Sequence, residues 1–531
     1  MAQAATHNVS DVVERQVRAG RGDATAVIAP DARLTYDELR RQVNRAGHLL
    51  RELGVRREQR VLLVLDDTTV FPIAFLGAIR IGAVPVPVSH LDKDDNYRHF
   101  VDDSYAEVVV TDPLVLDRLR SALGHRSVRW LVRGRDDAGV SELDAALAAQ
   151  PDELEAAPTH RDDMAFWLYS SGSTGKPKGV VHLQHDIGVT CENYAGGVLG
   201  LGPDDIHFST TKLFHAYGLG NGLTFPLWFG GRSVLMSGPP KPPAILETLR
   251  RHRPTVFFSV PALFGMLARE PEADGAFDSI RFCVSAAEPL PPTTVARWRE
   301  RFDQDIVDGI GSTEMLHIYC SNRPADVRPG TTGRPVPGYE LKLLDDAGAP
   351  VEGPGIGALV VRGDSCAAYY WHQHEKTKAS MLGDWFVTGD RYERTADATY
   401  AYVGRVDDML KVGGLWVSPV DLEHALMEHP GVAGVGVVGV RIGDATRIAA
   451  YVQCVGEQRR DDVFADELRA WCKGRMRRYE YPHLVRFVDD LPRTLTGKVQ
   501  RFRLREWATD AAAARPETVE APPPAAGVGG G

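Results

Sequence analysis

The chain has 531 residues, of which 44% are hydrophobic and 25% charged, and its net charge at pH 7 is −10. That length allows more than one domain, and the acidic balance argues against a general nucleic-acid-binding protein. Six scattered cysteines form no CxxC pair, so neither a zinc site nor a disulfide scaffold is indicated. Without a signal-peptide core or an apolar stretch of membrane-spanning length, the composition predicts a cytoplasmic enzyme with no membrane partner.

The first third of the chain alternates between strand and helix patterns. A helix opens within residues 34–39, where Thr35 and Glu38 have the spacing of a capping box. Apolar runs then predict strands at 61–65, 84–88, 107–111 and 128–132, with helices at 70–80 and 113–123 between them. This alternation predicts βαβ units with parallel sheets covered by helices, which is the α/β class.

Residues 170–179, SSGSTGKPKG, form the most informative stretch. Glycines let the backbone approach an anion, hydroxyl and N–H groups donate to phosphate oxygens, and Lys176 and Lys178 neutralise charge. The spacing fits neither a Walker loop nor a GxGxxG turn. A flexible linker is the alternative, but a linker does not need the apolar runs at 164–169 and 180–181 on its two sides. The stretch therefore predicts a phosphate-binding loop.

Two later segments are weaker signals when each is taken alone. Residues 212–220, KLFHAYGLG, mix aromatic side chains with glycine, which suits a pocket wall or an ordinary packed turn. Residues 308–314, DGIGSTE, place hydroxyls and a carboxylate after a glycine turn. Such oxygen ligands suit magnesium and phosphate, although Ser-Thr-Glu is also a good helix start. Further core strands are predicted between these two segments, at 256–260 and 281–285.

After residues 404–414 the chain begins again as a smaller α/β unit. Strands are predicted at 432–440, 447–455 and 484–488, with a helix at 461–475. We therefore predict an N-terminal domain at 1–406 and a C-terminal domain at 407–510, with a hinge at Asp407. Residues 511–531 are rich in Ala, Pro and Gly with little to bury, so a disordered tail is predicted.

Read with its flanks, LYSSGSTGKPKGVVH resembles the phosphate loop of the adenylate-forming superfamily: acyl- and aryl-CoA ligases, firefly luciferase and peptide-synthetase adenylation domains. Other signatures of that superfamily follow in the expected order, and the resemblance extends from about Leu34 to Arg501. It implies a large N-terminal domain of layered αβ subdomains with a β-barrel-like portion. It also implies a small, mobile α+β C-terminal domain.

The resemblance implies an ATP and Mg²⁺ site. Thr313 and Glu314 match a catalytic pair whose carboxylate helps to place magnesium, and Asp390 and Arg405 match ribose contacts. The adenine pocket is expected at Glu288, Pro289 and Asp308. The β- and γ-phosphates are expected at Ser170, Ser171, Gly172, Ser173, Thr174, Gly175 and Lys178.

The resemblance also implies the two half-reactions. Lys498 matches the lysine that assists attack of a carboxylate on ATP, giving an acyl-adenylate and pyrophosphate. The small domain is then expected to rotate about Asp407 and to bring Gly413, Gly414 and Trp416 to a channel for the thiol of coenzyme A. Displacement of AMP by the thiol gives a thioester.

Within the superfamily, residues 212–223 and 309–318 are most similar to the benzoate-CoA ligase branch. By this likeness Ala216, Tyr217, Gly309 and His317 line a flat slot for an aromatic ring. His215 stands where that branch usually has Phe, and Ser259 stands where a glycine is expected. Both add polarity near the pocket, which favours a hydroxy- or amino-substituted benzoate. His215 is also interpreted as a catalytic gate residue beside the thiol channel.

The leading hypothesis is therefore an aryl-CoA ligase that uses ATP, Mg²⁺ and coenzyme A. One alternative keeps the chemistry but loads the aryl group onto the phosphopantetheine arm of an acyl carrier protein in trans. A non-enzymatic nucleotide sensor is disfavoured, because Glu314, Asp390 and Lys498 are all present. No feature of the sequence indicates a light-emitting oxygenase. Monomer and homodimer both remain open.

Overall fold

The protein is described from a computed structural model that covers residues 7–135, 140–170, 176–406, 408–412, 415–442, 445–456, 460–477, 480–493 and 499–514. The chain divides into two compact units. The first runs through Thr388 and includes Tyr392–Tyr402, and the second comprises Gly389–Arg391 and the chain from Val403 onward. Asp407 lies outside the described residues, so the domain boundary and hinge at this position remain predictions.

The first unit contains most of the helices and strands. Its helices are α1 (Asp11–Gln16), α2 (Tyr36–Glu52), α3 (Val70–Arg80), α4 (Asp94–Ser104), α5 (Pro113–Leu123), α6 (Leu143–Ala148), α7 (Asp186–Thr190), α8 (Ala216–Leu219), α9 (Phe225–Phe229), α10 (Pro242–His252), α11 (Pro261–Leu267), α12 (Pro292–Phe302) and α13 (His374–Ser380). π-Helical turns follow α1, α7 and α8 at Val17–Arg21, Cys191–Gly196 and Gly220–Thr224, and a 3-10 turn covers Pro271–Ala273.

The strands of this unit are β1 (Thr25–Ile28), β2 (Arg33–Thr35), β3 (Arg60–Val64), β4 (Val84–Val88), β5 (Val108–Thr111), β6 (Arg129–Val132), β7 (Val140–Glu142), β8 (Met164–Ser170), β9 (Lys178–Leu183), β10 (Ile206–Ser209), β11 (Arg232–Val234), β12 (Val256–Ser259), β13 (Phe282–Ser285), β14 (Ile306–Gly311), β15 (Ile318–Ser321), β16 (Arg334–Pro335), β17 (Glu340–Leu344), β18 (Gly355–Arg362), β19 (Tyr369–Tyr370) and β20 (Met381–Leu382). The division between the units falls within β21 (Trp385–Arg394) and β22 (Tyr400–Arg405), which pair with each other.

Two sheets with parallel strands confirm the predicted α/β class. One has five parallel strands in the order β4-β3-β5-β6-β7. The other has nine strands in the order β16-β15-β14-β13-β12-β10-β11-β1-β2, and its strands from β14 to β1 are parallel. The capping box at Thr35 and Glu38 is formed at the start of α2.

Antiparallel strands supply the rest of the first unit. One sheet has the order β19-β9-β8, and another has the order β17-β18-β21-β20 with β22 on β21. The second unit contains β23 (Leu410–Val412), β24 (Leu415–Val417), β25 (Val432–Ile442), β26 (Ala445–Cys454) and β27 (Leu484–Val488), with helices α14 (Pro419–Met427), α15 (Asp462–Lys473) and α16 (Arg501–Ala514). Helix α16 extends beyond residue 511, where the tail was predicted to begin.

The register of the nine-stranded sheet aligns polar residues at one edge. Ser259 at the end of β12 lies opposite Ser285 at the end of β13, and Ser285 lies opposite Asp308 on β14. Ligands of open α/β sheets bind beyond the carboxyl ends of parallel strands. This edge is therefore where a site is expected. Over the part of the chain that the structure describes, no helix is both long and apolar enough to cross a membrane.

Candidate active site

The predicted phosphate loop connects two antiparallel strands. β8 and β9 pair with Ser170 opposite Lys178. The Ser170 hydroxyl is buried and has no hydrogen-bond partner among the described residues, so it is available to a ligand. His99 on α4 fixes the second half of the loop, because its Nε2 lies 2.7 Å from the carbonyl of Pro177. The loop residues Ser171, Gly172, Ser173, Thr174 and Gly175 lie outside the described residues, so their roles remain predictions.

Glu314 meets the strand that follows this loop. Lys178 Nζ lies 3.1 Å from Glu314 Oε1, and the Tyr370 hydroxyl donates to the same oxygen at 2.7 Å. The Lys178 ammonium also lies 3.9 Å from the centre of the Tyr370 ring. The three residues come from β9, from the loop after β14 and from β19. Two of them were predicted, but Tyr370 was missed because nothing local distinguishes it within the aromatic run at 369–371.

The Glu314 carboxylate is buried and charged. Burial raises its pKa, but the Lys178 ammonium and the Tyr370 hydroxyl outweigh that effect and hold the pKa below its ordinary value. Mg²⁺ is usually bound through one or two carboxylates together with substrate phosphates. The charged Glu314 carboxylate lies beside β8, β9 and the predicted phosphate loop that connects them, which we call the phosphate hairpin. This arrangement fits that pattern. Glu314 would hold the ion, which when bound neutralises charge on the phosphates.

The loop that carries Thr313 and Glu314 is held by a buried histidine on β9. His182 Nε2 donates to the Thr313 carbonyl at 2.8 Å, and its Nδ1 lies 2.8 Å from Asp186 Oδ2. The side chains of His182 and Asp186 are fully buried. Neither was identified from the sequence, although a histidine and an aspartate four residues apart directly after the phosphate loop were visible there. They position Thr313 through its backbone.

Two residues near the site have unusual backbone conformations. Leu316 has a φ of 64° in the loop after β14, and Ala287 has a φ of 79° in the loop after β13. Positive φ is rare for residues with a side chain, and such strain is concentrated at functional sites. Ala287 directly precedes Glu288 and Pro289, the predicted adenine-pocket residues, which are half-buried. Asp308, the third of them, is buried, and burial raises its pKa.

The predicted aromatic pocket residues Tyr217 and His317 pack together. Their ring centres are 5.5 Å apart, and Tyr194 and Phe225 lie 5.4 and 4.5 Å from His317. Burial lowers the pKa of His317 to about 3, so its imidazole is neutral. Neither ring nitrogen makes a hydrogen bond of good geometry with a described residue, although the nearby Tyr217 backbone opposes the lowering of the His317 pKa. The Tyr217 hydroxyl donates to the carbonyl of Val284, at the end of β13, at 3.1 Å.

The other pocket candidates differ in how they are placed. The Ser259 hydroxyl is fully buried and pairs with the Thr210 hydroxyl at 2.8 Å, so its polarity is satisfied within the protein. His215 directly precedes α8, which begins at Ala216, and its ring centre lies 4.4 Å from that of Phe214. A Cβ at Gly309 would lie 3.0 Å from the carbonyl oxygen of Cys320, so a larger residue there would require the paired strand to shift by a few tenths of an ångström.

In the second unit the two predicted ribose residues contact each other. Arg405 Nη1 lies 2.9 Å from Asp390 Oδ1. Gly389 has a φ of 75°, and a side chain there would come within 2.6 Å of the Arg405 guanidinium. The positive φ therefore favours glycine at this turn, and a side chain there would require the Arg405 guanidinium to shift. Lys498, Asp407, Gly413 and Gly414 lie outside the described residues, as does the side chain of Trp416, and their predicted roles remain predictions.

Comparison with known proteins gives the family. Residues 13–371 match the model of the AMP-binding enzyme, and residues 421–498 match the AMP-binding enzyme C-terminal domain. The chain belongs to the AMP-binding enzyme family. This membership confirms the predicted resemblance to adenylate-forming enzymes.

Curated members of the AMP-binding enzyme family are similar over nearly the whole chain. A benzoate–CoA ligase of Thauera aromatica is 44% identical over 93% of this chain and 95% of its own length. A 4-hydroxybenzoate–CoA/benzoate–CoA ligase of Rhodopseudomonas palustris is 42% identical over 95% of this chain and 96% of its own length. These relatives confirm the predicted likeness to the benzoate-CoA ligase branch.

Solved structures agree with the sequence comparison. An anthranilate CoA ligase in complex with anthranoyl-AMP superposes with a TM-score of 0.90 at 36% identity, covering 96% of this chain and 99% of that structure. A benzoate CoA ligase from Burkholderia xenovorans superposes with a TM-score of 0.87 at 41% identity, covering 94% and 99%. The fold is therefore that of the AMP-binding enzymes.

The contacts of Glu314 predict a pH effect. In Tyr370→Phe the carboxylate loses a donor that favours its charged form, so its pKa rises and the acidic limb of the rate profile moves to higher pH. We expect ATP–pyrophosphate exchange to fall about tenfold at the acidic end of the profile, the size of one hydrogen bond to a charged group, and to change little at the alkaline end.

Tyr369→Phe is the matched control for this prediction. The neighbouring Tyr369 hydroxyl lies 3.7 Å from the sulfur of Met164, away from Glu314. Its profile should therefore overlay that of the wild type. An unshifted limb in Tyr370→Phe, or an equal shift in both variants, would show that this hydroxyl does not control the charge of Glu314.

Proposed function

We propose that this AMP-binding enzyme joins an aromatic carboxylate to coenzyme A through an aryl-adenylate, releasing AMP and pyrophosphate. The observation that carries the proposal is the loop after β14. Glu314 on this loop pairs with Lys178 of the phosphate hairpin, and His317, three residues later, packs among aromatic rings. One loop therefore brings a charged nucleotide site and an aromatic pocket together. The names of the relatives, which include benzoate–CoA and 4-hydroxybenzoate–CoA ligases, support the same reaction.

The first step is attack of the aromatic carboxylate on the α-phosphate of ATP. An acid–phosphate anhydride forms and the bond to pyrophosphate breaks, so negative charge develops on the leaving group. Lys178, the first residue of β9 in the hairpin, supplies a positive charge. Lys498 is assigned, from its match to the family signature, to meet the carboxylate and the bridging oxygen. In the second step the thiol of coenzyme A attacks the acyl carbon, loses its proton and expels AMP.

The acid substrate is proposed to be benzoate or a benzoate with a hydroxyl or amino substituent on its ring. The ring nitrogens of His317 make no hydrogen bond of good geometry with a described residue, so a polar substituent on the acid would give them a partner. An unsubstituted ring would leave buried polar groups unpaired, which lowers affinity. The hydroxyl of Ser259 is already paired with Thr210, so we propose that His317, rather than Ser259, hydrogen-bonds to a ring substituent.

The acceptor is a separate part of the proposal. Coenzyme A is favoured by the relatives named as CoA ligases. An acyl carrier protein acting in trans is the alternative, and oligomeric state and a cytoplasmic location remain predictions. Desulfo-CoA separates the two acceptors, because it competes for a coenzyme A site and should inhibit thioester formation. Thioester formation on a carrier protein that desulfo-CoA does not inhibit would support the alternative.

The first test is carboxylate-dependent ATP–pyrophosphate exchange with wild-type enzyme. The panel contains benzoate, the hydroxy- and aminobenzoates, cinnamate and a medium-chain fatty acid. We expect strong exchange with at least one benzoate, because the rings of Tyr194, Tyr217 and Phe225 surround His317 and suit a flat substrate. Exchange with the fatty acid or cinnamate alone would keep the adenylation chemistry but contradict the proposed substrate class.

The second test is Lys498→Ala. Loss of a group that stabilises developing charge should lower exchange by about 10²–10³-fold. Binding of ATP, measured by calorimetry, should stay nearly unchanged, since the hairpin and Glu314 are intact. Lys342→Ala, at an exposed lysine that lies over the Trp385 ring, is the control and should retain full exchange. Undiminished activity in Lys498→Ala would exclude the mechanism given above.

A further inference from the structure

The loop between β10 and α8 is tied to the neighbouring sheet by Lys212. Its ammonium lies 2.7 Å from Asp66 Oδ1 and 2.5 Å from the carbonyl of Met236. The two side chains are only 11% and 16% exposed. Asp66 follows β3 of the five-stranded sheet, whereas Lys212 follows β10 of the nine-stranded sheet. This ion pair therefore joins the two sheets at their carboxyl ends.

Backbone groups continue the same connection. Asp67 Oδ1 accepts a hydrogen bond from the Leu213 N–H at 3.1 Å, so the loop is held at two consecutive residues. Asp66 in turn accepts from the Gly238 N–H at 2.5 Å through Oδ2 and from the Asp67 N–H at 2.8 Å through Oδ1. The Asp66 carboxylate is thus oriented before it meets Lys212.

The backbone of Lys212 is connected to the predicted aromatic pocket. Its carbonyl accepts the N–H of His215 at 3.0 Å and closes the turn before α8. A side chain at Gly218 would come within 2.1 Å of that carbonyl, so α8 packs directly on it. Tyr217, next to Gly218, is the pocket residue whose hydroxyl reaches Val284. A displacement of Lys212 would consequently displace Tyr217.

We propose that Lys212 is a positioning residue for the aromatic acid. Its ion pair with Asp66 holds the loop so that Tyr217 forms one wall of the pocket against His317. The inference rests on the proposed function, since it concerns affinity for the acid in that reaction. It assigns to Lys212 no contact with substrate, and it leaves the Glu314 side of the site unaffected.

The test measures the KM for the aromatic acid and for ATP separately, by pyrophosphate exchange. In Lys212→Met the ion pair is lost, and we expect the KM for the acid to rise about tenfold or more while the KM for ATP stays within about twofold. Lys212→Arg keeps the charge and should restore most of the affinity for the acid. Asp66→Asn removes the other partner and should repeat the effect of Lys212→Met.

The dependence on pH gives a second readout. Lys212 interacts with Asp66 and Asp67, and Asp112 lies near both of these carboxylates, with Arg133 and His90 near Asp112. Burial raises the pKa of Asp67 to about 7, and the Lys212 ammonium opposes that rise. Without the ammonium the pKa of Asp67 rises further, so Asp67 keeps its proton at neutral pH and the carboxylates repel one another only at alkaline pH. The excess KM of Lys212→Met over wild type should therefore grow as pH rises above neutrality.

A control separates positioning from loss of stability. Arg80 is also a buried cation, paired with Asp11 and Glu14, but it lies on α3 away from the pocket loop. Arg80→Met should lower the melting temperature without changing the KM for the acid. An equal rise of both KM values in Lys212→Met, or a rise for the acid in Arg80→Met as well, would overturn the inference in favour of general loosening.

Pyrophosphate exchange by the wild-type enzyme distinguishes failure of the proposed function from failure of the positioning role of Lys212. If wild-type enzyme exchanges with no aromatic acid, the proposed function fails. If it does exchange and Lys212→Met and Asp66→Asn keep the wild-type KM for the acid, only the positioning role of Lys212 fails.

Discussion

The burial of one charged carboxylate shapes the proposed nucleotide side of this enzyme. Glu314 is 9% exposed, and a charge at that depth is costly unless it is paired and hydrogen-bonded. Lys178 and Tyr370 both reach its Oε1 and make the charged form the stable one. Removing one partner of such a pair costs about 3–5 kcal/mol, because the other charge stays buried. The loop after β14 is therefore held against the hairpin sheet by electrostatics.

This constraint has a structural source in strand pairing. Tyr370 on β19 lies opposite Val180 on β9, and Lys178 is the first residue of β9. The two groups that stabilise the charged Glu314 carboxylate are thus carried by neighbouring strands of one sheet. His182, further along β9, holds the Thr313 carbonyl from the same side. Strand β9 therefore forms one side of the phosphate hairpin and also holds Glu314 and the Thr313 backbone in place. These shared contacts make the site rigid.

Local patterns in the sequence predicted the elements well, because periodicity and caps are encoded locally. The helices at 70–80 and 113–123 and the strands at 84–88 and 484–488 have the predicted bounds. Side-chain partners were harder, because they depend on tertiary contacts: Lys178 and Glu314 are 136 residues apart, and Lys212 and Asp66 are 146 apart. Family resemblance supplied Glu314 but not Tyr370 or His182. It also could not show that Thr210 pairs with the Ser259 hydroxyl.

The two sides of the site are held by different contacts, and this separates two properties of the enzyme. The proposed nucleotide side depends on the β19-β9-β8 sheet and its ion pair with Glu314. The proposed aromatic side depends on the loop before α8, the helix that carries Tyr217. Asp66 and Asp67, after β3, hold this loop, and the Tyr217 hydroxyl reaches carbonyls of β12 and β13. Leu316, with its left-handed backbone, turns the chain between Glu314 and His317 and so lies where the two sides meet. Substitutions in the loop and at the strand ends can then alter the acid that is accepted, while the contacts that serve every nucleotide reaction stay unchanged.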